Sequence, residues 1–133
     1  MDHTLEFAGR EFLSIETFRT SGVGVRTPMW FAEDAGDLLL WTNVSSGKVR
    51  RIRNNPEVRI APCSRFGAIT GEWVKGRASI EDAPEAVDRV ASLLRRKVGL
   101  PFLLFRLIDK IGDRRSGGHR VCVRIAVEGS SVG

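Results

Sequence analysis

The sequence predicts a mainly β domain with helices. It reads as a small antiparallel β-barrel of six strands, with a short helix after strand three and two helices late in the chain. Three observations predict it. The first half is a series of short apolar or alternating runs separated by turn signals. A basic segment of about two helical turns stops at Asn54-Asn55-Pro56. Longer helix-period patterns begin only at Pro84, and an alternating run at 119–127 follows them. A closed barrel also removes exposed strand edges.

Each element has a local reason. EFLSIETFR (11–19) is β-rich and ends at the Ser21-Gly22 turn. VGVRTPMWFAE (23–33) follows at once, so the two form a hairpin. AEDAGD is a further turn, and DLLLWTN (37–43) is an apolar strand with both faces covered. Short turns between these three strands predict an antiparallel meander. Ser45 or Ser46 caps the basic helix, and the residue before Pro56 avoids helical geometry. EVRIAPC (57–63) resumes as a strand. GEWVKGRASIE (71–81) alternates, with Val74, Ala78 and Ile80 on one face and Trp73, Lys75, Arg77 and Ser79 on the other. Pro84 suits the first position of a helix running to Lys97, with Val87, Val90, Ala91 and Leu94 as its buried stripe. Arg95, Arg96 and Lys97 suit the negative end of its dipole. A second helix, near 101–111, is apolar nearly all round, and HRVCVRIAV (119–127) is the last strand.

A chain of 133 residues fits a single domain over 1–133 and can bury a core without disulfides. Its 42% hydrophobic and 28% charged residues are ordinary for a globular protein. The net charge of +5 favours an anionic partner: nucleic acid, a membrane surface, or a phosphorylated or carboxylated small molecule. Charge alone does not choose among them. Cys63 and Cys122 lie far apart and nothing in their spacing asks for a disulfide, so a cytoplasmic location is expected. MDHTLEFAGREF carries acids and no long apolar run, unlike a signal peptide. LPFLLFRLI (100–108) is too short to span a bilayer.

No catalytic constellation stands out. His3 and His119 are isolated and read as surface residues, and no metal-ligand spacing is present. Cys63, after Pro62 on a strand, reads as a buried structural thiol. There is no GxGxxG or Walker motif. Chemistry is therefore expected from a bound cofactor.

The basic helix holds the first candidate site. Val49 and Ile52 mark its buried stripe, Lys48 and Arg53 flank it, and Arg50 and Arg51 point away as a solvated face. Lys48 lies in the first turn, where the helix dipole disfavours a cation. Beside Gly47 and the capping serines it would complete a phosphate cradle. The plainer alternative is that it too faces solvent. The second candidate is RTPMWF (26–31). Pro28 inside a strand means an edge, a bulge, or a ligand lying along it. Trp30, Trp41 and Trp73 offer aromatic surface for a flat ring, with core packing as the alternative.

The order RTPMWF, LLLWTN, SSGKVRRIRNNPEVRIAPC, GEWVKGRA resembles the pyridoxamine 5'-phosphate oxidase-like split-barrel proteins over residues 8–127. The GKxxRIRNNPxVxxAPC run is similar to their branch of coenzyme F420 (deazaflavin)-dependent oxidoreductases. The resemblance implies a six-stranded split barrel of the FMN-binding type. It also implies a homodimer with the cofactor in a groove between subunits. By the same resemblance, Arg26, Thr27, Pro28 and Met29 line the cofactor from the second strand. Trp41 and Thr42 contribute from the third, Ser46, Gly47 and Lys48 hold the phosphate, and Trp73 closes over the ring, from either subunit. Flavin-using oxidases of the family often carry a second cation before the lysine. Gly47 stands there in this chain, one cation fewer, which favours the deazaflavin over its alternative, FMN.

The expected function is hydride transfer between the deazaflavin and a small electron-poor substrate. A non-catalytic carrier of a cofactor or tetrapyrrole on the same barrel is an alternative. Nucleic acid is not an expected partner, although a basic barrel that stacks single strands on Trp and Phe is a further alternative. The segment at 99–115 reads as a peripheral interface or lid helix. Attachment of that segment to a membrane surface is the lesser alternative.

Overall fold

The structure, a computed structural model, describes residues 7–116 and 119–128, excepting the side chains of 109–116. His3 lies outside the described residues. The elements, in chain order, are β1 (Phe12–Phe18), β2 (Gly24–Trp30), β3 (Ala32–Asp34), β4 (Asp37–Asn43), α1 (Gly47–Asn54), β5 (Glu57–Cys63), β6 (Val74–Glu81), α2 (Pro84–Val98), α3 (Leu100–Ser116) and β7 (Arg120–Val127). The strands form one antiparallel sheet in the order β2-β1-β5-β6-β7-β4-β3.

Two expectations need correction. The run at 23–33 is not one strand. It breaks at Phe31 into β2 and β3, which raises the strand count from six to seven. Half of AEDAGD belongs to β3. Its turn is Ala35-Gly36, with φ of 53° and 86°, the two-residue hairpin geometry that suits the right-handed twist of paired strands. The expected meander is also altered: the run at 23–33 pairs antiparallel with both of its neighbours, β2 with β1 and β3 with β4, but through separate halves. β1 and β2 form the expected hairpin, but β2 and β3 occupy opposite edges of the sheet.

That topology sets the shape. Phe31 alone separates the two edge strands, and two peptide units span at most about 7 Å. A sheet with β2 at one edge and β3 at the other must therefore roll up until its edges lie side by side. Phe31 is fully buried at this corner and meets Phe7 edge-on, ring centroids 5.8 Å apart. Among the described residues no ladder joins the two edges, so the barrel stays split.

The inner face of the rolled sheet is filled, and part of its outer face is covered by α2 and α3. Leu13, Ile15, Leu38, Leu40, Ile60 and Ile125 fill the interior. On the outside, Leu39, Trp41 and Cys122 lie beneath Val90, Ala91 and Leu94 of α2 and Phe102 of α3. β4 is thus buried on both sides, as its composition predicts. Val87, expected in the buried stripe of α2, is only half-buried at its margin. The short helix α1 buries Val49 and Ile52, and Ile52 joins the interior cluster. Arg124 on β7 ties the β3–β4 hairpin down through Asp34 and Asp37, and also binds Glu81 at the end of β6. The Arg89 guanidinium hydrogen-bonded to Asp34, with help from Arg124, draws that carboxyl down to about 2.

α2 stops at Gly99, whose φ of 80° suits glycine, and α3 starts at once. α3 extends past the expected 101–111. It buries Phe102 and exposes Leu100, Leu103, Leu104, Phe105, Leu107 and Ile108. No helix among the described residues is long and apolar enough to cross a membrane. Cys63 and Cys122 are free and buried, and burial raises the Cys122 thiol to about 11. Neither suits a reactive thiolate.

Phe31→Ala should cost about 3–5 kcal/mol, the range for deleting a buried phenyl group. Urea unfolding followed by tryptophan fluorescence measures it. A loss below about 1 kcal/mol would show that this corner does not anchor the barrel.

Candidate cofactor site

Four buried polar side chains stand out on the strands among the described residues: Ser14, Glu16, Thr17 and Thr42. Buried polar groups need partners, so what they bind marks where the fold holds polar chemistry. Three of them bind a cation.

Thr42 and Thr17 lie near the ends of β4 and β1, at the barrel end that α1 covers. Ser46 caps α1, its hydroxyl accepting from the Val49 N–H at 3.4 Å. The Lys48 ammonium donates to Thr42 Oγ1 at 3.2 Å, and Arg51 Nε donates to Thr17 Oγ1 at 2.6 Å. Arg51 is therefore not part of a solvated face, which corrects the sequence expectation, while Arg50 is exposed as expected. No acid stands in the first turn of α1, and neither Lys48 nor Arg51 has an acidic partner among the described residues. Burial, then the neighbouring Arg51 charge, hold the Lys48 ammonium below its ordinary value. Burial, then Arg19 and Arg50, do the same to Arg51.

Five cations elsewhere in the structure are neutralised. Arg26, Arg59, Arg89, Lys97 and Arg124 all form ion pairs with carboxylates. At α1, two cations are positioned by hydroxyls instead. A hydroxyl fixes a side chain without cancelling its charge, so this end of the barrel is prepared for an anion.

A second polar centre lies on the outer face of β1, β2 and β5. Glu16 sits directly opposite Arg26 on one side and Arg59 on the other. Its buried carboxylate accepts from Arg26 Nε at 3.0 Å and from Arg59 at 3.3 Å. Both guanidinium groups lie over the Trp73 ring, 4.5 and 5.4 Å from its centroid. Between the sheet edges and the helices is an apolar cavity of about 240 Å³ lined by Pro28, Met29, Trp41, Leu94, Phe102 and Phe105, among others.

The expected site residues thus fall into three places within one chain. Thr42, Ser46, Gly47 and Lys48 gather at the start of α1. Arg26 and Trp73 meet on the outer face with Glu16. Pro28, Met29 and Trp41 line the apolar cavity. Thr27, opposite Ile15 in the register, shares the inner side of β2 with Met29. Pro28 lies on an edge strand, where a missing N–H costs no ladder bond. Among the described residues no cluster of three His, Cys, Asp or Glu is arranged to hold a metal ion, and His119 is exposed.

No protein-family model matches this chain, and no curated protein does. Solved structures do. Rv2991, a conserved hypothetical protein from Mycobacterium tuberculosis, is similar over 96% of this chain and 81% of its own, with 23% identity and a TM-score of 0.70. HutZ, a heme storage protein from Vibrio cholerae, is similar over 94% and 87%, with 16% identity and a TM-score of 0.67. An F420 reductase is similar over 95% and 92%, with 17% identity and a TM-score of 0.57. Likeness at these identities is a likeness of fold.

The fold is a split barrel.

Several polar residues of this split barrel escape a reading of the sequence. Glu16, Thr17 and Arg59 sit in alternating strands, where nothing local separates a buried polar residue from an exposed one. Arg51 had a signal. Helical side chains lean toward the N-terminus and cover the residue four positions back. Gly47 at that position leaves room for the guanidinium.

Two substitutions test these centres. Glu16→Gln should lower stability by about 1–2 kcal/mol, because the carboxylate is buried while its arginines are half-exposed and partly hydrated. Chemical denaturation measures it, and an unchanged midpoint would discount the cluster. Lys48→Met should stabilise the ligand-free protein at neutral pH. The folded pKa of Lys48 is depressed, so the unfolded chain binds more protons between the folded pKa and the ordinary lysine value of 10.5. Wild-type stability should rise with pH across that interval, and the variant should lack the rise in parallel melts.

Proposed function

We propose that this split barrel is a coenzyme F420-dependent oxidoreductase acting on a small electron-poor organic substrate. Its cofactor would lie between two copies of the chain. The observation that carries the reading is the pair of cations at the start of α1, Lys48 and Arg51, held by Thr42 and Thr17 and left without a carboxylate. The GKxxRIRNNPxVxxAPC resemblance favours the deazaflavin, and the F420 reductase of the same fold is consistent with it.

The residues present fit a phosphate-bearing, flat-ringed group. The capped start of α1 presents free backbone N–H groups, and Gly47 leaves their approach clear of its own side chain. Lys48 holds the phosphate charge. Arg26, positioned by Glu16, and Trp73 offer cationic and aromatic surface to a ring, while Pro28, Met29 and Trp41 exclude water beside it. The bound deazaflavin supplies the hydride chemistry itself, and the chain supplies binding, orientation and a dry pocket. That division explains why no nucleophile or metal cluster is needed. The exposed apolar face of α3 supports a homodimer or a lid. A cytoplasmic location fits two free, buried cysteines.

FMN is the second reading, because two cations at one helix start suit a phosphate dianion. The heme storage protein of the same fold keeps a tetrapyrrole carrier as the non-catalytic counterpart.

Titration of the purified chain with the deazaflavin and with FMN, followed by fluorescence, tests the proposal. At least one should bind below about 100 μM, and Lys48→Ala should weaken that binding by about 1.5–3 kcal/mol. If neither binds in that range the reading is wrong. Binding of the deazaflavin without turnover of any electron-poor acceptor would favour the carrier.

A further inference from the structure

The absence of a cation at residue 47 looks like a deficit of charge in the sequence. The structure places a cation there from elsewhere. A Cβ built on Gly47 would lie 2.8 Å from an Arg51 guanidinium nitrogen and 3.5 Å from its central carbon. The guanidinium therefore occupies the space over the first residue of α1 that a side chain at 47 would take. It is not there by drift: Nε is anchored to Thr17 Oγ1 at 2.6 Å, and Thr17 is 1% exposed on β1. With Nε held, the terminal nitrogens stay over the helix start, beside Lys48. Two like charges in one partly buried place, neither with an acid among the described residues, are costly without a counter-charge.

We propose that Arg51 is the second phosphate-binding cation of the site, delivered across one helical turn over Gly47 and aimed by Thr17. This deepens the cofactor reading and rests on it for the identity of the ligand. It makes Gly47 a functional residue because of what its missing side chain admits. It also removes the charge-count reason for preferring the deazaflavin to FMN, since the site holds two cations rather than one.

The pair FMN and riboflavin, which differ only by a phosphate group, isolates the claim. Both are titrated into wild type, Lys48→Met, Arg51→Gln and Gly47→Ala. Thermal melts in inorganic phosphate and in chloride at equal ionic strength run alongside. Wild type should prefer FMN, and phosphate should raise its melting temperature. Arg51→Gln should weaken FMN binding roughly tenfold or more, as for loss of a hydrogen bond to a charged group, and leave riboflavin unchanged. Gly47→Ala keeps every charge but displaces the guanidinium, so it should shift FMN in the same direction by a smaller factor. It also serves if Arg51→Gln fails to fold.

If Lys48→Met abolishes the preference for FMN while Arg51→Gln and Gly47→Ala keep it, Arg51 is not a phosphate ligand and the cofactor reading survives. If wild type binds no flavin or deazaflavin yet phosphate stabilises it through Arg51, the clamp stands and the cofactor reading falls. A wild type that neither prefers FMN nor responds to phosphate overturns the clamp, and the cofactor reading falls with it only if the deazaflavin also fails to bind.

Discussion

Phe31 is the whole link between two strands that end up at opposite edges of the same sheet. A single residue cannot cross the width of a flat seven-stranded sheet, so the sheet is rolled. Rolling brings the C-terminal ends of β1 and β4 to one end of the barrel, where α1 closes over them. It also creates an interior for the apolar residues of β1, β4, β5 and β7. The apolar cavity beside Pro28 and Trp41 lies where the two edges approach without pairing. The pockets and cation sites follow from that one short connection.

Within this frame, two kinds of cation are treated differently. Arg26 and Arg59 share the buried carboxylate of Glu16, and Arg124 is surrounded by Asp34, Asp37 and Glu81. These contacts satisfy charge and tie strands together. Lys48 and Arg51 are fixed by threonine hydroxyls, which orient them and leave their charge uncompensated. Burial first, then neighbouring arginines (Arg51 for Lys48, Arg19 and Arg50 for Arg51), lower both pKa values, so the ligand-free state carries an electrostatic cost that an anion would offset. A helix N-terminus adds to that cost for cations and to the gain for an anion.

The same contrast explains how such a site coexists with few catalytic side chains. A cofactor that carries its own reactivity asks the protein for a charge clamp, a flat apolar surface and exclusion of water. In the proposed reading the split barrel would offer each from a different layer: the clamp at α1, the cation and aromatic surface outside β1, β2 and β5, and the apolar lining beneath α2 and α3. The three lie apart within one chain, which is why a second copy belongs to the proposal. Other structures of this fold include a heme storage protein and an F420 reductase, so the scaffold alone does not choose the ligand.

Local pattern by itself determined most of the elements. Strand-forming composition and a turn marked β1, alternation marked β6 and β7, Ser46 and Pro56 bounded α1, and Pro84 opened α2, because each depends on neighbours a few residues away. The strand at 37–43 was legible as doubly covered from its unbroken apolar run. Lys48 was legible as misplaced because the helix dipole is a local property. The tertiary structure decided the rest. The break at Phe31 and the edge positions of β2 and β3 depend on pairing between residues far apart in sequence. Glu16, Thr17 and Arg59 gained meaning only from partners on other strands. Arg51 looked solvated on a wheel that took Val49 and Ile52 as its only reference. Its true partner, Thr17, lies 34 positions earlier, brought within hydrogen-bond reach by the rolled sheet. Helical periodicity reports which face a residue occupies, but whether that face meets water or a buried hydroxyl is set by the packing around it.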